Sequence, residues 1–111
     1  MDGYDLVGYL QSKRKELMEA LAISKSRGLA LAEAERDYKR EKAKFIAKAR
    51  AEKIAVTLIR DLAQGDPYIS DLRFKRDSAK VLYQNATEAI NVFKLECRLL
   101  ESDIKREWDN A

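Results

Sequence analysis

The chain has 111 residues, of which 46% are apolar and 37% charged, with a formal charge of +3 and a sequence pI near 9.0. This is one domain's worth of chain and too rich in hydrophobes for a disordered tail, and its charge excess has the Ala, Glu, Lys, Arg and Leu character of long helices and coiled coils. Histidine is absent, which removes Ser-His-Asp chemistry and argues against a zinc site, and Cys97 is alone, so no intrachain disulfide can form.

The opening "MDGYDLVGYLQSKRK" has no basic head followed by an apolar run, and no later stretch approaches ~20 continuous apolar residues. Together with the single cysteine, this leads us to expect a soluble cytoplasmic protein that is neither secreted nor membrane-spanning.

The first predicted element is a helix over about residues 5–52. Leu10, Leu17, Leu21, Ser24, Gly28, Leu31, Ala34, Tyr38, Phe45 and Ala49 fall near one face, and "LALAEAERDYKREKAKFIAKARAEK" holds only strong helix formers and tolerated aromatics. Glycine inside a helix costs ~1 kcal/mol relative to alanine. Gly28 on the packing face therefore points either to room for a bulky partner such as Phe93 or to a kink at "SKSRG". A short second helix over 57–64 follows, with Thr57 as its cap, Gly65 as its stop, and Val56, Leu58, Ile59 and Leu62 apolar. The chain then reverses at Gly65-Asp66-Pro67.

A third helix is predicted over 67–107. Asp66 serves as its cap, and Pro67 fits a first turn where a missing N–H costs nothing. Leu72, Ala79, Tyr83, Ala86, Ile90, Phe93, Cys97, Leu100 and Ile104 follow at spacings of seven, then alternately four and three, the pattern of a helix with one packing seam. Arg76 interrupts that seam, which is expected to fray there. Cys97 reads as a small buried hydrophobe, and Trp108 either closes the end of the seam or joins an interface. The fold expected is all-α: residues 1–111 as a single coiled-coil-like domain, an antiparallel long helical hairpin with a short third helix at the turn.

The third helix also has apolar residues outside its seam. Phe74, Val81 and Leu95 recur at multiples of seven, interrupted by Glu88, with Val92 and Leu99 on an adjacent row. A two-helix hairpin leaves that surface wet, so Phe74, Val81, Val92, Leu95 and Leu99 are expected to form an interface, most simply between copies in a homo-oligomer.

Asp61, Asp66, Asp71 and Asp77 invite a metal reading, but calcium loops place oxygen ligands every second residue around a glycine turn, and magnesium needs clustered carboxylates beside a phosphate. Their spacing matches neither. They read instead as caps and as ion-pair partners of Arg60, Arg73 or Arg76. No metal, cofactor, catalytic residue or small-molecule substrate is expected.

Charge placement says more. Lys39, Arg40, Lys42, Lys44, Lys48, Arg50 and Lys53 face only Glu41 and Glu52 in the same stretch, and Arg60, Arg73, Lys75, Arg76 and Lys80 lie across the turn. Such a concentration suits a phosphate backbone, with Tyr38, Phe45, Tyr68 and Phe74 near enough to stack on bases.

The segments "LAEAERDYKREKAK", "VTLIRDLAQGD" and "DLRFKRDSAKVLYQNATEAINVFKLE" resemble small helical proteins encoded in the replication and recombination gene clusters of bacteriophages and prophages of Gram-positive bacteria. The likeness runs from about Leu29 to Trp108. It implies a non-enzymatic protein supporting DNA replication or recombination, in the manner of mediators that load a recombinase on single-stranded DNA. On that implication Lys39, Arg40, Lys42, Lys44, Lys48, Arg50, Arg73 and Arg76 contact phosphate. The alternative is a helical scaffold, adaptor or inhibitor that acts through the apolar stripe without touching nucleic acid.

Overall fold

In a computed structural model of the chain, residues 3–110 are described, and they form three α-helices: α1 (Gly3–Ala51), α2 (Val56–Gly65) and α3 (Pro67–Asp109). No strand is present among the described residues, and none of their helices is long and apolar enough to cross a membrane. The chain packs as two compact units, one made of residues up to Ser26 with those from Gln84 onward, the other of Arg27–Tyr83.

In the first unit, Leu6, Leu10 and Ala20 of α1 are buried, as are Ala86, Ile90 and Cys97 of α3. Positions rising along α1 meet positions falling along α3. Tyr4 stands edge-on to Trp108 with ring centroids 6.0 Å apart, Lys13 Nζ lies 3.2 Å from Glu96, and Arg14 lies 3.2 Å from Glu101. The two helices are therefore antiparallel in this unit. Leu21 is 41% exposed, and the buried place falls to Ala20 instead. The register explains this: spacing of four and three from Leu6 runs through Leu10, Lys13 and Leu17 to Ala20 and Ser24, leaving Leu21 beside the seam.

The second unit is built from all three helices. Ala34, Tyr38 and Ala49 of α1, Ile59 and Ala63 of α2, and Ile69 of α3 make its core, Ala63 being only 1% exposed. Gly28 faces Tyr83, not Phe93. A Cβ built there would stand 3.1 Å from the Tyr83 ring, so the missing side chain makes room for an aromatic. The helix runs unbroken through "SKSRG".

Helix α1 ends close to the expected residue 52, whereas the start of α2 differs from expectation. α1 ends in a Schellman arrangement, with the Lys53 N–H donating to the Arg50 carbonyl at 3.0 Å and the Ile54 N–H to the Ala49 carbonyl at 3.1 Å. The left-handed residue this motif needs is Lys53, at φ 60°, where glycine would be favoured. At the start of α2 the cap is Ala55, which offers no side-chain hydrogen bond, and Thr57 lies inside the first turn.

Gly65 is not a left-handed stop either, since no described glycine has positive φ. The break is one residue later, at Asp66 (φ −66°, ψ 125°), because the ring of Pro67 crowds the preceding residue out of helical geometry. Asp66 then caps α3 as expected. Its carboxylate accepts the Ile69 N–H at 3.0 Å and its carbonyl accepts the Ser70 N–H at 2.8 Å.

Candidate nucleic-acid interface

All eight basic residues singled out from the sequence fall in the Arg27–Tyr83 unit. By sequence that unit holds fourteen Lys and Arg against nine Asp and Glu, a net charge of +5, and the remainder of the chain holds eight against ten, a net of −2. The mild +3 of the whole therefore conceals two opposite signs.

Helical spacing divides the α1 cations into two stripes. Lys39, Lys42 and Arg50 lie within one narrow sector beside the buried face, whereas Arg40, Lys44 and Lys48 recur every fourth residue on a different, outward sector. Lys39, Arg40, Lys48 and Arg50 make no ion pair or hydrogen bond among the described residues, and Lys44 meets only Glu41, at 3.2 Å. An exposed pair one helical turn apart contributes little and leaves its lysine available.

Arg76 and Arg73 are held more closely. The Arg76 guanidinium lies 4.5 Å from the centre of the Tyr38 ring and pairs with Asp77 at 2.8 Å. The seam does not fray at this position, because the guanidinium covers an aromatic face and keeps its polar edge outward. Lys42 Nζ approaches the same ring at 5.6 Å. Tyr38 is thus buried under cations and cannot serve as a base-stacking platform, whereas Tyr68 and Phe74 remain exposed.

Arg73 donates to the Gln64 carbonyl at 3.3 Å and to Ser70 Oγ at 3.4 Å, so it ties the last turn of α2 to the first turns of α3. Part of its donor capacity is spent inside the fold. Of the aspartates, Asp66 caps and Asp77 pairs as expected, but Asp61 makes no ion pair among the described residues. Arg60, one residue earlier, is likewise unpaired. No group of three or more His, Cys, Asp and Glu among the described residues is placed to hold a metal ion.

The structure also brings together a cleft that the sequence did not single out. It has a volume of about 250 Å³ and is lined by Lys42, Arg50 and Arg60 together with Ile46, Val56, Ile59 and Ala63. Val56, Ile59, Arg60 and Ala63 share one face of α2 at spacings of three and four, a signal present in the sequence. Its meaning depends on where α2 docks, which the sequence leaves open.

The apolar residues expected at an interface are all exposed: Phe74, at 74%, and Val81 in the Arg27–Tyr83 unit, and Val92, Leu95 and Leu99 in the other. Comparison of the chain with protein-family models, with curated proteins and with solved structures returns no match.

Proposed function

We propose that this is a non-enzymatic helical protein supporting DNA replication or recombination, which holds nucleic acid on the cationic surface of Arg27–Tyr83. The observation that carries the reading is charge left over after folding. That unit bears +5, and Lys39, Arg40, Lys48, Arg50 and Arg60 have no partner among the described residues. Unpaired cations in a local excess favour a polyanion through counterion release, whereas paired cations do not. The resemblance to phage and prophage replication and recombination proteins supports DNA as that polyanion. In this reading the chain is an antiparallel, coiled-coil-like hairpin that associates with copies of itself through Phe74, Val81, Val92, Leu95 and Leu99, in the cytoplasm of a bacterial host.

Fluorescence anisotropy of a labelled single strand across a salt series tests the reading. About five phosphate contacts give a slope of log affinity against log salt near −3.5. Changing Lys42, Lys44 and Lys48 to Glu should abolish binding at moderate salt. Absence of binding at low salt in the unaltered protein, or indifference to the triple change, would refute direct contact.

A second reading is favoured by the exposure of Val92, Leu95 and Leu99 on one side of α3. Here the protein is an adaptor or inhibitor whose apolar stripe engages a helix of a DNA-handling protein. Polar replacement of those three residues should then abolish partner capture in nuclease-treated extracts while helicity is unchanged.

A further inference from the structure

We propose that the cleft between α1 and α2 in the Arg27–Tyr83 unit receives one unstacked nucleobase of a single strand, with the flanking phosphates on Lys42, Arg50 and Arg60. This rests on the nucleic-acid reading above and deepens it, from a charged surface to a site with a preference between kinds of strand.

Three features of the cleft point to that occupant. Its volume of about 250 Å³ is below the ~300 Å³ at which pockets for whole cofactors or drug-sized ligands begin, so it suits a single ring system. Its apolar lining is Ile46, Val56, Ile59 and Ala63, with Val56 presenting 71% of its surface to an incoming group. Its charged lining residues are all cations, and Arg50 and Arg60 have no partner among the described residues, while Lys42 is turned over the Tyr38 ring. Apolar side chains beside unpaired cations match a flat, weakly polar group flanked by two negative charges. A nucleotide of an unpaired strand is such a group. In a duplex the base is stacked and paired, and reaching the cleft would require its extrusion, so duplex contact is confined to the cations.

The other unit provides a contrast. One of its clefts is lined by Ala20, Ile23, Ala86, Ala89 and Phe93 together with Glu16 and Glu19. A similar apolar surface there would repel the phosphates that the α1–α2 cleft attracts.

The test compares binding of the full chain to three labelled probes of equal length, about 16 nucleotides: oligothymidylate, an abasic strand of the same charge, and a duplex. The expected result is that oligothymidylate binds about fivefold or more tightly than the abasic strand. Val56→Ser should remove that advantage and leave abasic binding unchanged. Leu58→Ser, on the opposite side of α2, should leave the advantage intact. Arg60→Gln should weaken every probe, because it removes a phosphate contact. Equal binding of oligothymidylate and abasic strand by the unaltered protein overturns the cleft proposal and leaves the charged surface standing. An equal loss for both strands on Val56→Ser also overturns it. Failure to bind any probe at low salt overturns the surface and the cleft together. Both serine changes are at exposed positions, and helicity by circular dichroism verifies that the variants fold.

Discussion

The two units handle charge in opposite ways. In the unit made of residues up to Ser26 and from Gln84 onward, cations of α1 reach carboxylates of α3: Lys13 meets Glu96 and Arg14 meets Glu101. In Arg27–Tyr83 every ion pair among the described residues is local, from Arg36 to Glu33 and Asp37, Lys44 to Glu41, and Arg76 to Asp77. Pairs between helices fix register and neutralise each other across the seam, whereas neighbours on one helix add little to either. Charge in the first unit serves the fold. In the second it is in surplus, and the surplus is what a partner can use.

The cores differ as well, and the largest expected effect separates them. Ile69 is 2% exposed, in a core shared by three helices, and Ile90 is 8% exposed, between two. Ile69→Ala should cost about 3–4 kcal/mol and Ile90→Ala about 2–3 kcal/mol, because a cavity in the more completely buried, three-helix core cannot collapse as readily as one at a two-helix seam. Urea denaturation followed by circular dichroism measures both. Equal costs, or the reverse order, would remove the distinction between the cores. Two separate transitions in either variant would show that the units melt independently.

How much of this was legible in the sequence follows from which forces are local. The seam of α3 could be read because alternating spacing of four and three is a property of one helix, and Ala86, Ile90 and Cys97 are indeed buried. The cap at Asp66 could be read because it involves three neighbouring residues. Leu21 follows the leucines at 10 and 17 in the sequence, but the register set from Leu6 gives the buried place to Ala20. Gly65 was misassigned by type, since the stop belongs to the restriction that Pro67 imposes on Asp66. The eight basic residues and the two stripes of α1 cations are legible from composition and helical spacing, but the internal tie of Arg73 and the cleft lined by Lys42, Arg50 and Arg60 depend on the docking of α2. No periodicity within one helix encodes that docking.

A smaller effect lies at the end of α1, inside the positively charged unit. Lys53 holds φ 60°, a conformation in which an L-residue's Cβ crowds the following carbonyl at a cost of ~1–2 kcal/mol. Lys53→Gly removes the crowding but adds freedom to the unfolded chain, so the net gain should be about 0.5–1 kcal/mol. Thermal melting should rise by about 3–5 °C. Lys53→Ala keeps the Cβ and should gain nothing, which separates relief of strain from loss of a positive charge. If both variants stabilise equally, repulsion among the surplus cations is the cause, and the contrast between the units extends to their stability.

The smallest effect is in the other unit and concerns pH. The Lys13 ammonium has its pKa raised above the ordinary lysine value, first by its hydrogen bond to Glu16 and then by Glu96, with burial opposing. Glu96 Oε2 is shielded from solvent and has Lys13 Nζ at 3.2 Å as its ion-pair partner. A group whose pKa is raised on folding binds its proton more tightly in the native state, so its contribution is fully present below the unfolded lysine pKa of about 10.4 and disappears as pH rises through the higher folded value. Lys13→Gln should therefore destabilise the protein at neutral pH, and the difference from the unaltered chain should shrink once the pH exceeds about 10.4. Urea titrations of Lys13→Gln and the unaltered chain at neutral and at strongly alkaline pH measure that difference. A Lys13→Gln penalty that stays constant with pH would assign it to lost packing against Phe93, 5.9 Å away, rather than to the carboxylates.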